Sequence, residues 1–296
     1  MADEVTDRQL EQVVAALWRD RHDAIVAESA SALAEIEVDP ALESDRAYFI
    51  EYCPGYCPPL LTTSWTAPTV RLLGSNAART SAVAVVDYTS SWDTGEDYPA
   101  AALVRIEATD SGGWHFSLVA DWGPDERLPV LPRGEVLPLA PDGKTLVEDY
   151  LVLADRLWKG SPYPSDPQFA DGPRTSDLPE TIATFMETPA DQVNTTEPVV
   201  NDDAEVVAFT LRSGPSALHC SVAEVADTTS GRHGQPLTPV EALGDYGRMV
   251  EPGRYSDFTV HRIITVCVVA SEGEKPAIPV YREDRTTVTG TKLQTT

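Results

Sequence analysis

Positive charge is scarce in this sequence of 296 residues. Lys and Arg together number 22 against 47 Asp and Glu, and the formal net charge is −25. Lysine itself occurs only four times. A chain this acidic repels the phosphate backbone of nucleic acids and the anionic headgroups of membranes. We therefore expect no nucleic-acid partner and no adsorption to an anionic bilayer.

Long apolar runs are also missing. No segment reaches the roughly 18–20 apolar residues that a membrane-spanning helix requires, so we expect no transmembrane segment. The opening residues, MADEVTDRQL, contain neither the basic nor the apolar region of a signal peptide. Two interpretations stay open: a cytoplasmic protein, or a mature chain whose export segment has been removed. The acidic, lysine-poor composition favours the second, an extracytoplasmic location.

Motifs that carry chemistry are absent as well. The sequence has no nucleophile elbow, phosphate-binding loop, dinucleotide fingerprint or metalloprotease helix. The spacing of its histidines and cysteines matches no metal-ligand pattern. We therefore expect no cofactor and no metal, and we assign no catalytic residue.

The four cysteines form two groups. Cys53 and Cys57 flank a Pro-Gly turn that could bring their sulfur atoms together, whereas Cys220 and Cys267 lie in segments with strand composition. Pairing within each group, 53–57 and 220–267, would keep each disulfide inside one half of the chain. Four buried free thiols are the alternative.

The order of secondary-structure elements predicts an α+β fold. A capping box at Thr6–Gln9 opens an amphipathic helix, and a second capping box at Thr145–Glu148 opens another. Each helical region is followed by predicted antiparallel strands, which favours segregated helices and strands over a parallel sheet. The segment 127–143 is rich in proline and glycine and is predicted to be a linker or an extended crossing.

This repetition predicts two tandem domains, residues 1–137 and 138–296. The simplest way to bury both apolar stripes is a cone, in which an amphipathic helix packs into a strongly curved antiparallel sheet. Nuclear-transport-factor-2-like (NTF2-like) domains have that architecture. We therefore expect two NTF2-like cone domains.

Several segments of the second half carry a family resemblance: residues 206–211 (VVAFTL), 216–222 (SALHCSV), 258–264 (FTVHRII) and 279–281 (PVY). They resemble an uncharacterised actinobacterial family of lipoprotein-like proteins with the cone fold. The sequence lacks that family's lipid-attachment cysteine and export segment. Membrane anchoring is therefore expected only if an upstream lipidated cysteine has been removed. The resemblance supplies no catalytic residues.

A cone fold offers a pocket at its concave face and helix mouth. The candidate lining residues are aromatic or acidic: Tyr52, Trp65, Asp87, Tyr88 and Trp114. Alternatively, Trp65 and Trp114 fill the core.

Two functions follow from these expectations. The first is a non-catalytic extracytoplasmic binding or assembly protein whose ligand is an unknown protein or small molecule. The alternative is a cone-fold isomerase, dehydratase or hydrolase that uses Asp, His and Tyr side chains in the pocket.

Overall fold

The computed structural model describes eight stretches of the chain: residues 5–52, 68–91, 97–122, 133–158, 160–180, 192–199, 208–243 and 250–293. The helices are α1 (Asp7–Val26), α2 (Ala30–Ile36), α3 (Ala41–Asp45), a π-helix (Arg46–Tyr52), α4 (Pro141–Trp158), a short 3-10 turn (Arg232–Gly234) and α5 (Pro239–Leu243). The strands are β1 (Thr69–Ser75), β2 (Ser81–Ser91), β3 (Asp97–Ala108), β4 (Trp114–Trp122), β5 (Gly134–Pro138), β6 (Gln192–Val199), β7 (Phe209–Ser213), β8 (Ser216–Gly231), β9 (Tyr255–Ser271) and β10 (Ala277–Lys292).

Helix α1 begins where its capping box predicts. The Gln9 amide donates to the Thr6 hydroxyl over 3.3 Å, and the Thr6 amide donates to the Gln9 side-chain oxygen over 2.7 Å. Leu10, Val14 and Trp18 then form a buried stripe at helical spacing.

Helix α4 begins one turn before its predicted start. Its first residue is Pro141, because proline fits the first turn of a helix, where its missing N–H has no intrahelical partner. The Thr145 hydroxyl donates back to the Pro141 carbonyl over 3.1 Å and does not cap the helix.

The strands form one continuous hydrogen-bonded sheet in the order β10-β9-β8-β7-β5-β1-β2-β3-β4, with β6 paired to β8 beside this path. Neighbouring strands are antiparallel except β1 and β5, which are parallel. Strands β3 and β4 form a hairpin, with Gly112 at a positive φ of 86° in its turn. A predominantly antiparallel α+β fold is therefore confirmed.

Glycines allow the two halves of the sheet to meet. A Cβ atom on Gly74 of β1 would lie 2.0 Å from the Gly134 carbonyl oxygen on β5. A Cβ atom on Gly134 would lie 2.0 Å from the Arg212 carbonyl oxygen on β7. Only residues without a side chain permit such close approach of backbones. We call this junction of β1, β5 and β7 the seam.

The sheet curls and buries both of its faces. An inner core is built from strand residues of both halves: Leu73, Val83, Val85, Leu103, Leu118, Val136, Phe209, Leu211, Leu218, Val222, Ile263 and Val280. Beside a smaller cluster near α5, alternate residues on the other face form two large outer cores. One packs beneath α1, α2 and α3, and the other beneath α4. The helices therefore cover the outside of the curl.

This arrangement does not confirm two separate cone domains. The segment predicted as a linker or an extended crossing contains β5, which pairs with β1 of the first half and β7 of the second. The sheet thus crosses the expected boundary at residue 137, and both halves contribute to the inner core. The helices also lie outside the curved sheet, where a cone would place them within it.

The disulfide predicted between Cys220 and Cys267 is present, with a sulfur–sulfur distance of 2.06 Å. The two residues lie directly opposite each other on β8 and β9 and belong to the inner core. The other predicted pair, Cys53 and Cys57, lies outside the described residues.

Candidate functional site

A group of ionisable side chains, some buried and some partly exposed, lies between α1, α3 and the two edge strands, β4 and β10. We call it the buried charge cluster, and its members are Arg21, Glu37, Asp45, Asp121 and Arg282. Arg21 Nε lies 3.0 Å from Glu37 Oε1 and also donates to Asp45. Arg282 Nη1 donates to Asp121 Oδ2 over 2.8 Å. The cluster thereby connects the edges of the sheet through side chains.

The position of Arg21 in α1 explains why it is buried. It follows Trp18 by three residues and so continues the apolar stripe into the outer core. Its guanidinium carbon lies 5.0 Å from the centre of the Trp18 ring and 5.7 Å from that of Phe49. A fully buried cation is tolerated only when carboxylates and aromatic faces replace the lost water.

The carboxyl groups beside Arg21 have pKa values shifted in opposite directions. Burial and the charge of Asp45 raise the pKa of Glu37 to about 9, although Arg21 opposes this shift. Burial would raise the pKa of Asp45 too, but the charge and hydrogen bond of Arg21 lower it below its usual range. Glu37 therefore keeps its proton at neutral pH, while Asp45 is ionised.

Among the sequence-predicted pocket residues, Tyr88 contacts this cluster. Its hydroxyl donates to Asp121 Oδ1 over 3.1 Å, and its ring centre lies 5.0 Å from that of Trp18. Burial and then Asp121 raise the pKa of Tyr88. The phenol therefore stays protonated at neutral pH.

The other predicted pocket residues lie elsewhere. Asp87 is exposed and, as the neighbour of Tyr88 on β2, points to the opposite face. Trp114 is half-buried and packs against the outer core beneath α1. Tyr52 ends the π-helix, but its side chain lies outside the described part, as does the whole of Trp65.

Sequence reasoning missed the buried charge cluster. One signal was available, because Arg21 interrupts the apolar stripe of α1 at a core position. Its partners could not be found in that way, since they lie 16 to 100 residues further along the chain and Arg282 lies beyond them.

A second feature is a cleft on the outer face of the sheet, where the end of α4 lies over β8, β9 and β10. We call it the α4 cleft. Its lining residues are apolar, aromatic and charged: Leu151, Ala154, Asp155, Trp158, Ala223, Glu224, Val225, Arg262, Ile264 and Tyr281. Helix α4 supplies one wall and the three long strands supply the floor.

Arg262 is fixed at the floor of the α4 cleft. It lies on β9 and forms ion pairs with Asp227 on β8 and Glu283 on β10, which flank it across the sheet. Burial alone would lower the pKa of Arg262, but these two carboxylates raise it. The guanidinium therefore stays charged and held in one orientation.

The protonation state of Tyr281 is also fixed by its surroundings. Its hydroxyl donates to Glu283 Oε2 over 3.4 Å, and burial followed by the charge of Glu283 raises its pKa. The guanidinium carbon of Arg174 lies 5.9 Å from the centre of its ring. The phenol stays protonated, and its ring faces a cation.

Comparisons with known proteins do not extend this description. No protein-family model and no curated protein matches the chain. Within the described stretches, no helix is long and apolar enough to cross a membrane.

Proposed function

We propose that this is a non-catalytic, extracytoplasmic binding or assembly protein whose ligand, a protein or a small molecule, occupies the α4 cleft. The observation that carries the proposal is the lining of this cleft. Apolar side chains line it together with a few polar groups whose positions are fixed, which is the usual composition of a ligand site.

The protonation states in the cleft support binding over catalysis. Arg262 stays charged and Tyr281 stays protonated, because their pKa values are raised above values that already exceed neutral pH. General acid–base catalysis works best with a group whose pKa lies near the working pH. These two residues instead offer a constant charge and a constant hydrogen-bond donor.

The disulfide supports the extracytoplasmic part of the proposal. Structural disulfides persist in oxidising compartments and are rare in a reducing cytosol. The Cys220–Cys267 bond joins β8 to β9, two of the strands that form the floor of the cleft. It is therefore placed to hold a binding surface in shape outside the cell.

The repeated arrangement of helix and sheet supports a relationship between the two halves. Helix α1 covers strands of the first half, and α4 covers strands of the second. We include in the proposal that the halves derive from NTF2-like units which came to share one inner core.

A fragment screen followed by NMR tests the binding function. The Trp158 indole N–H is the reporter, and its signal is assigned with Trp158→Phe. We expect fragments that bind to shift this signal and to be recovered chemically unchanged. Fragments that bind only at other places, or that are converted to products, would contradict the proposal.

The alternative, a cone-fold isomerase, dehydratase or hydrolase, has one observation in its favour. Tyr88 donates to Asp121 beside Arg21, so a phenol, a carboxylate and a guanidinium lie together. Asp121 is 27% exposed, so that solvent reaches this group. An enzyme of this kind would lose turnover in Tyr88→Phe while the variant stays folded.

A further inference from the structure

We propose that the α4 cleft binds a positively charged group on an aliphatic stem, either an alkylammonium or a guanidinium. The inference rests on the binding function proposed above and names the chemistry of the ligand. It depends on three properties of the cleft: its charge, its aromatic side chains and its apolar wall.

Carboxylates outnumber cations in and beside the cleft. The carboxylates that line the cleft or pair with Arg262 are those of Asp155, Asp227 and Glu283, and the guanidinium groups are those of Arg262 and Arg174. Because the cleft walls exclude part of the solvent, this excess produces a local negative potential. The net charge of the whole chain, −25, has the same sign.

An anionic ligand is disfavoured by the way Arg262 is held. Its guanidinium already bonds Asp227 and Glu283 on the neighbouring strands, and its side chain is only 13% exposed. An anion would have to compete with both carboxylates for the same N–H groups. A cation instead gains from the carboxylates of the cleft and leaves the Arg262 pairs intact.

Two aromatic side chains add a specific attraction for cations. Trp158 and Tyr281 line the cleft, and the face of an indole or phenol ring attracts ammonium and guanidinium groups. The position of Arg174 against Tyr281 shows this attraction within the protein itself.

The apolar wall of the cleft is the reason to expect an aliphatic stem on the ligand. Ala154, Val225 and Ile264 are buried members of the outer core beneath α4, and Leu151 packs against them. A chain of methylene groups can lie on such a surface while its charged end stays among polar groups, as lysine and arginine side chains do. A bare metal ion or ammonium would leave this wall unused.

The test compares three probes with the same five-carbon stem: pentylammonium, pentanol and pentanoate. Each is titrated into the full chain while the Trp158 indole signal is followed by NMR. We expect pentylammonium to shift the signal saturably, and to bind at least about 10-fold more tightly than pentanol or pentanoate. We also expect binding to weaken in 0.5 M salt, because exposed charge pairs are screened at about that ionic strength.

Charge-neutralising variants provide the matched comparison. Asp155→Asn removes the charge of a carboxylate on the α4 wall of the cleft and should weaken pentylammonium binding about 3-fold. Glu148→Gln makes the same change on the exposed side of α4, where Glu148 pairs with Lys144, and should leave binding unchanged. Equal weakening in both variants would overturn the inference, because it would show only a response to overall charge.

A capped lysine, Nα-acetyl-lysinamide, distinguishes the two sources of such a group. Tighter binding of this probe than of pentylammonium indicates a lysine side chain of a partner protein, and the reverse order indicates a free amine. Both orders support the inference. If pentanol or pentanoate bound as tightly as pentylammonium or more tightly, the inference of a cationic ligand would be wrong. The proposed binding function would still stand. No shift with any cation would also overturn the inference.

Discussion

Arg282 and Asp121 are 161 residues apart in the sequence, yet Arg282 Nη1 lies 2.8 Å from Asp121 Oδ2. The first lies on β10 and the second on β4, the two ends of the strand order. Arg282 Nη1 also donates to the Val119 carbonyl over 3.4 Å. No strand pairing joins β4 to β10 in the described part of the chain, so side chains bring these edges together.

This contact should contribute measurably to stability. Arg282→Met keeps much of the side-chain volume but leaves Asp121 without its guanidinium donor, and should lower the free energy of unfolding by about 1–3 kcal/mol. Urea unfolding measures the change. Arg133→Met is the control, because Arg133 pairs with Asp7 at a 61% exposed position and should cost less than about 1 kcal/mol. Equal losses of stability in the two variants would show that the contact between Arg282 and Asp121 does not hold the edges of the sheet together.

The protonated state of Glu37 predicts a pH dependence. Its pKa in the folded protein, about 9, lies above the ordinary value of 4.5, so the folded state retains a proton that the unfolded state releases. The contribution of Glu37 to stability therefore falls as pH rises from 4.5 to 9.

Glu37→Gln keeps the shape of the protonated carboxyl group but cannot titrate. Its stability relative to the wild type should therefore increase with pH, by up to about 1.4 kcal/mol per pH unit within that window. Urea unfolding at pH 5, 7 and 9 measures the difference. A pH-independent difference for Glu37→Gln would mean that the group is ionised when folded.

The Cys220–Cys267 disulfide should stabilise the strands beneath α4. Replacing both residues with alanine removes a crosslink that closes 47 residues of chain, and should lower stability by about 2–4 kcal/mol. Thermal unfolding measures the loss, and alkylation with mass analysis of the unreduced wild type verifies the bond. Modification of both cysteines without reductant would show that they are thiols.

The seam should tolerate no side chain at Gly74. Gly74→Ala would place its Cβ atom 2.0 Å from the Gly134 carbonyl oxygen, which forces β1 and β5 apart. We expect a loss of at least about 2 kcal/mol, together with faster hydrogen exchange on both strands. Gly172→Ala is the control, because the nearest atom there is 4.0 Å away and its effect should be small. Comparable stability of the two variants would mean that the seam is not close-packed.

Local features of the sequence predicted local structure well. The capping box and apolar stripe predicted α1, and the strand composition around Cys220 and Cys267 predicted their disulfide. The seam was not predicted, because the prolines near β5 conceal a strand of only five residues. That strand pairs with partners about 60 and 75 residues away, and no local pattern encodes such pairing.

The same contrast between local sequence features and long-range contacts applies to the candidate sites. Tyr88 was selected as an aromatic candidate for the pocket lining, whereas Arg262 and Trp158 were not selected, because only the packing of α4 on β9 brings them together. The buried charge cluster depends on contacts between the two ends of the sheet. Its one local sign was a charged residue in the apolar stripe of α1.

The central feature of the structure is a single sheet whose inner core both halves share. Residues 138–296 produced alone would expose the apolar side chains of Phe209, Leu211 and Leu218, which the first half covers in the full chain. Two-dimensional NMR of this segment, beside the full chain, tests the claim directly. We predict narrow signal dispersion typical of an unfolded or molten chain, whereas a well-dispersed spectrum matching the second half of the full chain would contradict the shared core.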